Sequence, residues 1–212
     1  MSVMNGFRTE LTEKILGFNS HVTIKPYSTN ISEEFYSKLQ EEYKGVKIIK
    51  THNGEAVVMR NDSAKGVLIR GIDSEKLEEI DFFKKNIIDG ELSGFVDGTI
   101  ILGKHLAIEL GVVVGDKINI MSSSSVSTPL GAIPKQSSYK IAAVFNSGLY
   151  EFDRNVAFFN LEDSLSFFEK TVDDISLEIF LKNPLNAEKY KKEIQSKNSN
   201  FYVNSWSDLN KS

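Results

Sequence analysis

The stretch that most restricts how this chain can fold is Ser122 to Ser138, SSSSVSTPLGAIPKQSS, set between two segments patterned as strands. Before it, Lys117-Ile118-Asn119-Ile120-Met121 alternates polar and apolar residues; after it, Tyr139-Lys140-Ile141-Ala142-Ala143-Val144-Phe145 is rich in β-branched and aromatic side chains. The pattern predicts paired strands joined by a long loop. Hairpin loops commonly hold about two to five residues, so one this long is either a solvated excursion or a device that grips something. Its chemistry favours gripping. Between Lys117 and Lys135 there is no charge, whereas Val126, Leu130 and Ile133 are apolar. Pro129 and Pro134 restrain the backbone, and Gly131 is the permissive joint, so the tip is expected to be a pre-shaped extended turn.

A chain of 212 residues with 41% hydrophobic and 25% charged residues can bury one large core or two small ones. A net charge of −4, with no clustered Lys and Arg, argues against a nucleic-acid partner. The absence of cysteine excludes disulfides, Cys-based zinc sites and Cys nucleophiles. No apolar run approaches the roughly 20 residues that cross a bilayer, and no signal-peptide pattern occurs.

Along the chain, Val3, Phe7, Leu11 and Ile15 recur at helical spacing without a capping residue ahead of them, as in a helix continued from a longer one. A strand is expected at 21–26. The next helix is expected to start at Asn30 as N-cap, with Glu33 in the capping-box position. Strands at 46–51 and 55–60 flank Asn53-Gly54, which reads as a hairpin turn. The apolar run 66–72 reads as a central strand, and Ser74 opens a helix with Leu77, Ile80, Phe83 and Ile87 inward and Gly90 closing it. A lobe boundary is placed at Asp73. A strand at 99–102 and a helix carrying Leu106 and Leu110 precede the hairpin; a strand at 156–159 and a helix capped by Asn160 follow it. The end reads as a βαβ unit: a strand at 175–181, a helix capped by Asn186 with a Leu185–Tyr190 staple, and a strand at 201–203. The runs 66–72 and 175–181 are expected in one sheet of the same lobe.

No catalytic constellation emerges. His21, His52 and His105 have no partner at metal-ligand or triad spacing and read as structural or solvated. Gly103-Lys104 lacks the glycine spacing of a phosphate loop, and the acidic clusters around Glu75–Asp81, Asp97 and Asp153 lack calcium-loop spacing. Cofactor and metal are therefore both expected to be none.

Five stretches in order, SVMNGF, GVLIRGID, LGKHLAIELGVVVGDKINI, STPLGAIPKQ and AVFNSGLYEFD, resemble the extracytoplasmic domain of lipoprotein-releasing ABC permeases of the LolC/LolE type. The resemblance covers nearly the whole chain. It implies an α+β, two-lobed, MacB-like periplasmic domain: an α/β porter-like lobe from 1–72 and 174–212, with an inserted mainly-β sabre-like lobe, 73–173. It also implies a non-catalytic domain on the periplasmic face of the bacterial inner membrane, within a membrane-embedded protein. ATP hydrolysis would fall to a separate cytoplasmic subunit, beside a partner permease. In the LolC branch the hairpin is a hook, 122–138, that recruits the periplasmic chaperone LolA to receive lipoprotein clients. The hook pattern TP-x-G-x-IP-x-Q matches Thr128, Pro129, Gly131, Ile133, Pro134 and Gln136, and with Leu130 and Lys135 these form the expected chaperone-binding set. One departure stands out: Ala132 and Ser137 occupy positions where such hooks carry arginines, leaving Lys135 as the cation.

Two other readings stay open. A LolE-like domain would contact the lipoprotein without a working hook, and a MacB- or FtsX-like domain would hold an adaptor or regulate a cell-wall hydrolase. A free-standing hydrolase or solute-binding protein fits least, for want of an active site.

Overall fold

The computed structural model describes residues 19–129 and 131–209, with side chains other than those of 123–128, 132 and 209. The helix expected at 2–16 and the hook residue Leu130 lie outside the described residues. In chain order the elements are β1 (Val22–Pro26), α1 (Glu33–Glu42), β2 (Lys47–Arg60), β3 (Ser63–Ile72), α2 (Ser74–Leu77), α3 (Asp81–Asn86) and β4 (Ile87–Gly90). There follow β5 (Thr99–Gly103), α4 (Lys104–Leu110), β6 (Lys117–Thr128), β7 (Gly131–Phe145), α5 (Tyr150–Asn155), β8 (Val156–Asn160) and α6 (Leu161–Phe167). The chain closes with β9 (Ser176–Phe180), α7 (Ala187–Lys197), β10 (Phe201–Ser205) and α8 (Trp206–Leu209). It divides into two compact units, one holding residues up to Thr51 and from Val172 onward, the other His52–Thr171.

In the first unit β10, β1, β9 and the start of β2 pair in that order, each antiparallel to its neighbour. Alternate residues Val22, Ile24, Leu177, Ile179, Phe201 and Val203 join Leu39 of α1 and Ile194 of α7 in one core. Each of these large side chains contributes roughly 1.5 to 3 kcal/mol through burial. Helix α1 is capped two residues later than the sequence suggested. Ser32 is the N-cap, its Oγ accepting from Phe35 N at 3.1 Å, while Asn30 Nδ2 donates to Asp173 Oδ1 at 2.6 Å. Glu33 pairs with Lys50 at 2.5 Å instead of closing a capping box. The Leu185–Tyr190 staple is also absent: Leu185 is 78% exposed, and Asn186 makes no side-chain cap.

In the second unit the later part of β2 pairs with β6, β3 runs parallel to β8, β8 antiparallel to β5, β5 parallel to β7, and β7 antiparallel to β6 and β4. One core gathers Val58, Ile69, Ile100, Leu102, Leu106, Ile120, Ile141 and Phe159. Phe82, Phe83, Phe145 and Phe158 make edge-on contacts with one another, Phe83 and Phe158 at 4.8 Å. The single helix expected after Ser74 is broken, because Ile80 adopts an extended backbone. The break separates buried Leu77 of α2 from Phe82 and Phe83, which α3 buries together on one face.

The first boundary falls after Thr51 rather than after Ile72. The run read as a central strand of the terminal lobe, now β3, pairs Leu68 with Val156 and Ile72 with Asn160, so it lies in the unit of the insertion. Strand β2 is likewise continuous through Asn53-Gly54, and the turn sits at Asn61, whose φ is 50°.

Candidate functional site

The long loop expected between Met121 and Tyr139 is mostly ladder. Ser125 pairs with Pro134, Val126 with Ile133, Ser127 with Ala132 and Thr128 with Gly131, so β6 and β7 rise as a two-stranded ribbon almost to the tip. Gly131 has φ +120° with open space around a would-be Cβ, so conformation rather than crowding calls for glycine there. Pro129 and Pro134 are exposed, as is Ile133 at 53%. Of the expected hook residues, Thr128 through Gln136 are thus gathered on one ribbon, apart from the undescribed Leu130.

Two features of the ribbon carried no readable signal. The register jumps between Met121↔Gln136 and Ser125↔Pro134, so Ser122, Ser123 and Ser124 face Lys135. Such a bulge bends a strand and increases its twist. In the described pairings β2 follows β6 only to Ala56↔Ser122, and β5 joins β7 only at Thr99↔Lys140, so the ribbon beyond the bulge pairs with itself. At the bulge the Lys135 ammonium donates to the carbonyl of Ser166, 2.6 Å away in the last turn of α6. That carbonyl belongs to a helix C-terminal cap: Glu169 N donates to Ser166 O and Lys170 N to Leu165 O. A cation is favourable at such an end. Gln136 Nε2 lies 3.7 Å from Met121 Sδ, and its side chain is exposed.

The histidines do structural work. His21 Nδ1 accepts from Leu181 N at 2.8 Å, His52 Nδ1 lies 2.8 Å from Ser164 Oγ, and the His105 ring packs on Tyr150 with centroids 4.5 Å apart. Asp153 is fully buried; its Oδ1 accepts from Ser147 N at 2.9 Å and from Ser147 Oγ at 2.5 Å, which fixes the turn before α5. Burial raises the Asp163 carboxyl, while its Oδ2 accepts from Gly98 N at 2.7 Å. Among the described residues no group of three or more His, Cys, Asp or Glu could hold a metal ion. At the end of the ribbon the exposed Pro129, Ile133 and Pro134 form an apolar surface.

No protein-family model matches the chain. It is 28% identical over 193 residues to the "Lipoprotein-releasing system transmembrane protein LolC" of Neisseria meningitidis serogroup B, covering 88% of this chain and 46% of the relative. The LolC protein of Xylella fastidiosa is 25% identical over 166 residues, 77% of this chain and 40% of the relative. The LolE protein of Haemophilus influenzae is 23% identical over 197 residues, 88% of this chain and 47% of the relative. The chain thus spans about half the length of these relatives. In fold it is similar to the periplasmic region of MacB from Actinobacillus actinomycetemcomitans, with a TM-score of 0.57 and 10% identity over 95% of this chain and 96% of that one. It is also similar to the extracellular domain of the ABC-type transporter YknZ from Gram-positive bacteria, with a TM-score of 0.52 and 14% identity over 86% of this chain and 100% of that one. These two likenesses bear on fold, and they agree with the α+β, MacB-like architecture expected from the sequence.

Proposed function

We infer that this chain, a homologue of the LolC and LolE permeases with the fold of a MacB periplasmic domain, is the extracytoplasmic part of an ABC permease. In this reading the whole protein releases lipoproteins from the inner membrane together with a partner permease and a separate ATPase. The domain itself is non-catalytic, and its β6–β7 ribbon captures a soluble, LolA-like lipoprotein chaperone. The observation that carries the reading is the ribbon: a self-paired hairpin ends in exposed Pro129, Gly131, Ile133 and Pro134. A bare two-stranded ribbon is marginal by itself, so a projecting apolar one is supported by what it binds.

The chaperone-binding set is Thr128, Pro129, Leu130, Gly131, Ile133, Pro134, Lys135 and Gln136. Leu130 and Ile133 supply apolar contact, the prolines hold the tip, and Gln136 works at the rim. The test is a pull-down of the organism's own periplasmic chaperone with the parent chain and with a variant whose residues 123–137 are replaced by a short turn. Capture lost with the ribbon supports the reading; capture retained favours the LolE-like alternative.

A further inference from the structure

The edge of the first unit where β1 starts and β10 ends carries a surface that the ribbon does not use. Val22 pairs with both Ser205 and Ile179, and Lys47 pairs with Phe180, so the starts of β1 and β2 lie beside the ends of β9 and β10. His21 N donates to Ile179 O at 2.9 Å and Trp206 N donates to His21 O at 3.0 Å. Residues 21 and 206 therefore meet at one edge of this unit.

Just past β9 the turn Pro184–Asn186 presents Leu185, at 78% the most exposed large apolar side chain among the described residues. The Trp206 indole Nε1 donates to Pro184 O at 3.1 Å, which holds the half-buried ring beside that turn. Lys44, Lys182 and Lys189 are exposed, and the Lys182 ammonium lies 3.7 Å from where a Cβ on Gly45 would stand. Lys44, Lys182, Asn183 and Asn186 border a shallow concavity of about 170 Å³. Three neighbouring acids are already engaged. Asp208 accepts from Lys191 and Ser205, Glu188 accepts from Ser205, and Glu42 pairs with Lys197.

An exposed leucine with an indole beside it and lysines around it has the chemistry of an interfacial anchor. Hydrocarbon enters below the headgroups, the indole sits at their level, and ammonium groups meet lipid phosphate. We propose that this edge docks on an anionic bilayer surface, with Leu185 and Trp206 in the headgroup layer and Lys44, Lys182 and Lys189 against lipid phosphates. The proposal rests on the permease reading. The relatives are named transmembrane proteins, the chain spans about half their length, and no described helix is long and apolar enough to cross a membrane. In that reading the membrane lies beside the edge where His21 and Trp206 meet.

Trp206 is the single tryptophan of the chain, so its emission reports on this edge alone. The chain is titrated with vesicles of phosphatidylglycerol and phosphatidylethanolamine, with or without brominated acyl chains, and with phosphatidylcholine vesicles. The expected result is a blue shift, and quenching by the brominated lipid, with anionic vesicles only. Both are expected to be lost in high salt, in Leu185→Asp and in the Lys44→Glu/Lys182→Glu pair, with the melting temperature unchanged. An unshifted emission at millimolar lipid, an equal response to phosphatidylcholine, or an undiminished response in the folded variants overturns the proposal. A shift produced by inorganic phosphate alone also overturns it, and assigns the concavity to a free anion. Chaperone affinity in lipid-free buffer is expected to be the same for these variants as for the parent, which separates failure here from failure of the ribbon reading.

Discussion

A Cβ on Gly54 would fall 2.5 Å from Cζ of Phe168, a buried ring already packed on His52 and Phe167. That clash explains why an Asn-Gly pair sits inside a straight strand: the glycine lets a ring lie on the backbone. Gly54→Ala is therefore expected to destabilise the fold by about 1 to 3 kcal/mol, read as a lowered urea midpoint with an unchanged slope. A parent-like midpoint would contradict this account of the glycine. Asp208 offers a pH signature. Its carboxylate accepts from Lys191 Nζ at 2.8 Å and from Ser205 N at 2.8 Å, and these bonds hold it down at about 2. A depressed carboxyl stabilises the folded state above its ordinary value near 4, and that stabilisation is lost as pH falls through about 2. Because the carboxylate is still reached by solvent, the effect is discounted to about 1 kcal/mol. Asp208→Asn is expected to lower the melting temperature at neutral pH and to flatten its decline between about pH 4 and pH 2.

At the scale of elements, α6 ends with Glu169 at φ 55°, a left-handed position that favours glycine. Glu169→Gly is expected to stabilise the second unit by roughly 0.5 to 1 kcal/mol, and calorimetry showing a loss would mean that the Glu169 side chain matters there. The ribbon invites a second measurement. Lys135→Gln removes the bond to Ser166 O, so amide exchange in 131–138 is expected to quicken while the core strands keep their protection. Unchanged exchange would make the Lys135 bond incidental. Elements with clean periodicity were legible: β1, β5, β9 and α4 stand close to where alternation or helical spacing puts them. Helix α5 was not, because its six residues are too few to show a period. The turn at Asn61 went unread because the stronger Asn-Gly signal lay eight positions earlier, where packing against Phe168 overrides turn propensity.

For the molecule as a whole, the two-lobed class was legible from the resemblance, and its first boundary was not. Strand β2 changes partner along its length, with Ile48 facing Ile179 and Val58 facing Ile120. The boundary falls at the polar run 51–55 of a continuous strand, which reads as a hairpin turn and not as a change of lobe, whereas the change at Asp73 marks a strand giving way to a helix. The place of Pro129, Gly131 and Ile133 at the end of the hairpin was legible, but the geometry of the ribbon beneath them was not. A run of serines does not announce a bulge, and nothing in the sequence pairs Lys135 with a helix end. The central claim is that this hairpin is a capture device resting on apolar contact. Burial of Ile133 against a partner is worth roughly 1.5 to 3 kcal/mol, about tenfold or more in Kd, while an exposed ion pair gives about 0 to 1. The direct measurement is titration calorimetry of the organism's lipoprotein chaperone into the parent chain and into Ile133→Asp, with circular dichroism confirming the fold. The account predicts binding by the parent and a loss of at least about tenfold in the variant; equal binding by both would contradict it.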